Sequence, residues 1–427
     1  MQAANTYPAS KPRYEVLDGL RGVAAMMVVM FHLFESYTPL TEQKYVNHGY
    51  LAVDFFFVLS GFVIGYAYDD RWGDMTVRGF FKRRLTRLHP MAVAGVLLGA
   101  CVFYPSAPGS PLVLESPLWK VALCLVMGLL LLPCGKSLDI RGWGATSSFN
   151  APIWTLSMEY LGNILYALVL RHLPKAALAL LCAGCAFFTL DLSLGWDVFG
   201  LFPEGPRYSV AGGWTLDPQG VYMAFARLLF PFLCGLLIAR VMAGRAATCG
   251  SSAAGVPEAA CGHAAVDGAL LPGSPVRFRY GFLLASLLLV AIFATPCIGG
   301  GACLANGIYQ ASAILLLFPL LVMLGAGSTT RTAVGAKVCR WLGDISYPLY
   351  VTHYPLVYLQ ISWLEDHSDA PLYAHALVMA GVAVTAVLLS WCLLKFYDRP
   401  VRRWLTDHWC GGQSAKKIVS SRTLQEP

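Results

Sequence analysis

Arg21 and His32 sit in one apolar stretch, LDGLRGVAAMMVVMFH (17–32), and are eleven residues apart. On a helix that is three turns plus about 20°, so both fall on one face, about 16 Å apart along the axis. Asp18 precedes Arg21 by three residues and Glu35 follows His32 by three, which puts all four on one stripe. A charge at mid-membrane depth costs at least about 2.5–3.5 kcal/mol on insertion scales, so such a stripe is either an interior site or a structural ion pair between helices. A histidine on it suits a general base or a proton relay. Asp54 in AVDFFFVLSGFVIG, Glu159 in IWTLSMEY and Arg227 lie at similar depth in other apolar stretches. Together with His32 they form one candidate cluster, in which Asp54 or Glu159 would fix the histidine tautomer and raise its basicity. His353, in YVTHYPL, reads two ways: a group lining the same cavity, or a packed core histidine before the helix-bending Pro355.

The densest basic feature is FFKRRLTRLHP, with Arg84 and Arg87 three apart. Basic residues beside a span act as topology signals and lipid head-group contacts. The arginine forks also suit phosphates, and a polyanion bound there would reach Arg21 at the neighbouring helix mouth. The thirteen cysteines show no metal-like pairing; Cys182 and Cys185 fall inside an apolar helix, and Cys297 and Cys303 flank one turn where they could form a disulfide.

The elements that position these groups are membrane-spanning. Hydrophobic residues make up 57% of the 427 and charged residues 13%, against about a quarter charged in soluble domains. Ten apolar segments read strongly as spans, at about 16–37, 50–68, 90–104, 152–170, 176–192, 221–239, 280–298, 306–325, 345–363 and 374–395. An eleventh, 117–133, is bounded by prolines and carries Lys120 near its start. If it dips in and returns, or lies on the surface, nearly all loop Lys and Arg fall on one side, leaving only Lys44, Lys120, Lys136, Arg141 and Arg207 opposite. If it crossed, that bias would collapse. The reading is an all-α polytopic protein of about ten spans plus one re-entrant or interfacial segment, both termini cytoplasmic. Residues 1–13 and 404–427 read as tails, 14–403 as the membrane domain, and about 244–279, rich in Ala, Gly, Ser and Pro, as a flexible cytoplasmic loop. The charge of +7 reports loop topology and carries no sign of nucleic-acid binding. The first span follows Lys11 and Arg13, but its buried charges and the lack of a small-x-small site mark it as retained.

In order, LDGLRGVAAMMVVMFH, AVDFFFVLSGFVIG, FFKRRLTRLHP, IWTLSMEY, LGDISYPLYVTHYPL and FYDRP resemble the motifs of the bacterial membrane family called acyltransferase 3, from about Tyr14 to Arg403. The resemblance implies an inner-membrane enzyme. It takes an acyl group, usually acetyl, from cytoplasmic acyl-CoA to a hydroxyl of a sugar or lipid-linked acceptor. It implies that His32 is catalytic, that Arg21, Arg84 and Arg87 meet the donor with Asp18 beside them, and that Glu159 is the family's acidic residue. Asp54 stays a second candidate partner of His32, and Arg227 and His353 are candidates for the acceptor side. Thr155 and Met158 stand where Ser and Val are common. The chain ends shortly after the last span, so a fused hydrolase-like domain is not expected. Direct transfer and an acyl-histidine route both stay open. Segment 118–132 and loop 195–220, with Trp196 and Trp214, either shape the acceptor site or anchor the membrane interface. Two rival readings remain: a glycan or lipid transporter using the buried charges as a relay, and a non-catalytic partner in envelope assembly. An oligomer also remains open.

Overall fold

The computed structural model describes residues 11–37, 46–110, 112–204, 207–252, 281–298, 303–330 and 332–410. Among them all regular structure is helical. In chain order the α-helices are α1 (Glu15–Glu35), α2 (Ala52–Tyr68), α3 (Val77–Cys101), α4 (Leu118–Leu129), α5 (Trp154–Leu168), α6 (Lys175–Leu194) and α7 (Pro218–Ser252). They continue with α8 (Gly281–Ala294), α9 (Leu304–Ser312), α10 (Phe318–Ala326), α11 (Ala333–Asp366), α12 (Leu372–Leu393) and α13 (Arg399–Trp409). One π-helical turn joins α9 to α10 and another joins α12 to α13. Six helical stretches among the described residues are long and apolar enough to cross a membrane: Glu15–Glu35, Gly49–Tyr68, Lys175–Leu194, Pro218–Gly244, Leu304–Ala326 and Leu372–Trp409.

Local chemistry sets several boundaries. The Thr76 side chain accepts from Gly79 N and opens α3; Thr332 does the same for Gly335 N at α11. Gly195, at φ 65°, closes α6 in the left-handed conformation. α4 has 12 residues, about 18 Å of helix, well short of the roughly 30 Å hydrocarbon thickness. Its two ends are tied to neighbours: Lys120 donates to Asp139 O and Ser157 to Leu131 O, each at 2.8 Å.

Two helix pairs build the centre, α1 against α11 and α2 against α7. Lipid is as apolar as leucine, so such pairs are held by close packing of small residues and by polar contacts. At the α2–α7 crossing a Cβ on Gly61 would sit 2.0 Å from Phe232 O, and one on Gly235 2.0 Å from Val58 O. Only glycine permits that approach. α11 contains Pro348 and Pro355. Pro355 has no N–H, which frees the carbonyl of Val351; the Asn150 side-chain amide donates to it at 2.7 Å, fastening the segment before α5 to the middle of α11.

Three expectations change. The loop expected at 244–279 begins later, because α7 stays helical through Ser252; residues 253–280 lie outside the described residues. The C-terminal tail begins as helix, with 404–409 inside α13, while 1–10 and 411–427 lie outside them. Cys297 and Cys303 are free thiols, and Cys303 Sγ donates instead to Ile298 O at 3.1 Å.

Candidate active site

The last turn of α1 meets the middle of α11 at two stacked imidazoles. His32 Nδ1 lies 2.9 Å from His353 Nε2, with ring centroids 5.1 Å apart. His353 is fully buried, and its Nδ1 lies 2.9 Å from Tyr350 O and 3.1 Å from Leu349 O. Carbonyl oxygens only accept, so His353 Nδ1 carries the proton and its Nε2 the lone pair. His32 must then donate through Nδ1, which leaves the lone pair of His32 on Nε2. That nitrogen lies 3.9 Å from Glu35 Oε2.

His32 and Glu35 line a cavity of about 190 Å³. Its other walls are largely aromatic: Tyr50, Trp143, Trp154, Trp214, Tyr350 and Tyr354, with Arg227 at one side. Two loops roof it and are joined where Thr146 N donates to Trp214 O at 2.8 Å, while Cys134 N donates to Thr146 O at 2.8 Å within the first loop. Asp139 organises the first loop by accepting from the backbone of Arg141, Gly142 and Gly144. Arg141 is buried behind the wall, 3.8 Å over the Tyr358 ring. It donates to Ser148 O at 2.6 Å and to the Ser106 and Ser110 hydroxyls at 3.0 and 2.9 Å. Burial holds its pKa below the ordinary arginine value.

The expected carboxylate partners of His32 are elsewhere. Asp54 and Arg227 form a fully buried pair at 2.7 Å, and Arg227 also donates to Tyr50 O and Gly212 O at 2.6 and 3.1 Å. This pair ties α2, α7 and the cavity rim together. Glu159 takes Arg84 at 2.7 Å and the Ser60 hydroxyl at 3.2 Å, so it belongs with the arginines and not with His32. His353 stands behind His32 and does not line the cavity, so it is not placed to touch an acceptor. Thr155 bonds the Tyr350 hydroxyl at 2.8 Å. Trp214 is in the wall, whereas Trp196 is half exposed and outside it.

At the other end of α1, Arg21 donates to the Ser346 hydroxyl and Gly343 O, each at 2.8 Å, and lies 3.3 Å from Asp18. Asp18 also faces Arg13 at 3.6 Å, so it orients cations and is not itself placed to meet an anion. Arg87 is exposed, with the charges of Arg84, Arg21 and Arg402 around it. Arg402 is held by Asp398 at 2.8 Å. Four guanidinium groups thus gather where a polyanion can be met. Glu35 and Arg402 join the site from outside the set of expected residues. Their signals were the three-residue step from His32 and the place of Arg402 one turn after the Asp of FYDRP.

A family model described as an acyltransferase domain matches residues 14–395. The "Protein 2 in picA locus" of Rhizobium radiobacter is 37% identical over 166 residues, covering 36% of this chain and 81% of that protein. The "Acyltransferase MdmB" of Streptomyces mycarofaciens is 24% identical over 405 residues, 89% of this chain and 90% of that one. A Staphylococcus aureus protein carrying the name "Putative O-acetyltransferase" is 36% identical over 81 residues, 18% of this chain and 12% of its own length. No solved structure shows a significant match.

Proposed function

The chain belongs to the acyltransferase 3 family and is an integral membrane protein, and from that premise we propose that it moves an acyl group, acetyl in the simplest case, from cytoplasmic acyl-CoA to a hydroxyl of a glycan, glycolipid or related acceptor. In this reading it sits in the bacterial inner membrane with ten spans and both termini cytoplasmic. The observation that carries the reading is the His353–His32 bond, which leaves an unprotonated nitrogen on a cavity wall beside a carboxylate.

The donor phosphates meet Arg84, Arg87, Arg402 and Arg21. The pantetheine arm is similar in length to the roughly 16 Å rise from Arg21 to His32, so the thioester reaches His32 from inside the bundle. His32 Nε2 takes the proton of the acceptor hydroxyl as its oxygen attacks the thioester carbonyl. The C–S bond breaks, and the same proton passes from His32 to the thiolate, giving an ester and free coenzyme A. Glu35 stabilises the imidazolium between the two transfers, and His353 keeps the ring in the productive tautomer. The aromatic wall offers flat apolar faces with polar edges to the acceptor.

Variants at each end test the assignment. His32→Ala abolishes acyl transfer while leaving membrane insertion intact; transfer near the wild-type rate would remove His32 from the mechanism. Arg84→Ala with Arg87→Ala raises the apparent KM for acyl-CoA by roughly tenfold or more, the worth of one or two charge-assisted hydrogen bonds. An unchanged KM removes the phosphate assignment. Binding of acyl-CoA by the purified protein separates this reading from a transporter.

A further inference from the structure

A second cavity, of about 560 Å³, lies at the opposite end of the bundle from His32. It is bordered by the last residues of α2, the first of α6 and the Met242–Gly244 turn of α7. Three membrane-crossing stretches end there, at Tyr68, Lys175 and Gly244, so the cavity sits at the boundary between hydrocarbon and water. None of Arg21, Arg84, Arg87 and Arg402 lines it.

Its charges are unevenly matched. Asp69 accepts from Arg240 at 2.7 Å and from the Tyr166 hydroxyl at 2.8 Å, and Asp70 holds Lys11 at 2.7 Å. Arg240 completes its bonding on the carbonyls of Leu173 and Leu170. Arg171 and Lys175 remain without a carboxylate partner among the described residues. The Arg171 guanidinium lies on the Trp72 ring, 3.9 Å from its centroid, and its Nε is closed to solvent with no acceptor. A stacked guanidinium keeps its plane fixed, and with Nε closed off its two Nη groups are the donors left for a phosphate oxygen pair. The Lys175 ammonium lies so near Gly244 that a Cβ there would be 2.3 Å away. The cavity also has an apolar wall, the packed rings of Tyr14, Phe62 and Tyr66.

We propose that this cavity binds the phosphate of an anionic phospholipid headgroup, with Arg171 and Lys175 as its ligands and the aromatic wall against the glycerol and first methylenes. A soluble phosphate would use the cations but leave the apolar wall without purpose; a lipid uses both, and the cavity lies at the depth where its headgroup resides. This inference does not depend on the acyl-transfer reading.

The test is native mass spectrometry of the full chain in detergent, with phosphatidylglycerol, phosphatidylcholine, inorganic phosphate and coenzyme A as separate probes. Wild-type protein retains phosphatidylglycerol over phosphatidylcholine, and Arg171→Gln with Lys175→Gln reduces that retention roughly tenfold, the scale of one charge-assisted hydrogen bond. Lys136→Gln, on an exposed lysine remote from the cavity, leaves it unchanged. Should the double variant fail to insert, Arg171→Lys, which keeps the charge and loses the fork, reduces retention by a smaller factor. Wild-type retention in the Arg171 and Lys175 variants overturns the proposal, as does equal retention of the two lipids. Displacement of phosphatidylglycerol by inorganic phosphate or coenzyme A overturns the lipid assignment.

Discussion

At His32 the outcome turns on which nitrogen carries the proton. The Leu349 and Tyr350 carbonyls decide it from a distance, by holding the proton of His353 on Nδ1. A substitute for His353 must therefore accept a hydrogen bond from His32 Nδ1. His353→Leu leaves that donor buried without an acceptor and frees the ring to take the other tautomer. Acyl transfer then falls by about 10²–10⁴-fold in kcat, the range of a lost general base, with KM for acyl-CoA little changed. His353→Gln, whose side-chain oxygen can accept, restores a measurable part of the rate. If Leu and Gln cost the same, His353 serves packing alone. Sequence spacing alone brought out the stripe from Asp18 to Glu35, because helical geometry fixes neighbours within one helix. It could not pair His32 with His353, since they are 321 positions apart and meet only when α1 packs on α11. Asp54 and Glu159 read as carboxylate partners for the same reason: depth along a helix is legible in sequence, and azimuth between helices is not.

Between elements, the buried Asp54–Arg227 pair is a contact between α2 and α7. Both side chains are almost wholly withdrawn from solvent, and the pair locks α2 to α7 beside the glycine crossing of Gly61 and Gly235. Removing one partner strands the other charge, a penalty of about 3–5 kcal/mol for a buried pair. Asp54→Leu and Arg227→Met should each lower the midpoint of thermal unfolding in detergent strongly. The combined Asp54→Leu/Arg227→Met chain should recover much of the loss, because no lone charge remains. Equal or additive losses in the double variant would show that the pair is not a unit, and would return Asp54 to consideration as a catalytic group. The apolar parts of the helices were legible from hydropathy, the short segment at Leu118–Leu129 included, but the polar starts of α3 at Val77 and α11 at Ala333, ahead of the apolar segments at 90–104 and 345–363, were not. The extension of α7 to Ser252 was not, because Ala-rich and Ser-rich composition fits both a linker and a helix end.

Across the whole molecule, the order in which helix ends meet bears on topology. The C-terminal end of α1 and the N-terminal ends of α2, α5 and α7 converge on the His32 cavity. Ser106, just after α3, bonds Arg141 of the roof loop. The chain thus leaves α3 and enters α5 at the same end of the bundle, and α4 lies between without changing ends. This arrangement supports the assignment drawn from the basic residues, in which α4 returns to the side it came from. It also gives Arg171, Lys175 and the arginines near Arg87 one common side, opposite the His32 cavity. Reporter fusions made after Gly73, Leu138, Trp196, Ser328 and Asp366 test it directly. Those after Gly73 and Ser328 should report cytoplasm, and those after Leu138, Trp196 and Asp366 the far side. A cytoplasmic signal after Leu138 would mean that α4 crosses. Every later loop would then reverse: Arg171 and Lys175 would part from Asp69 and Asp70, with which they line one cavity, and Arg402 would part from Arg84 and Arg87, so that neither cluster could form as described.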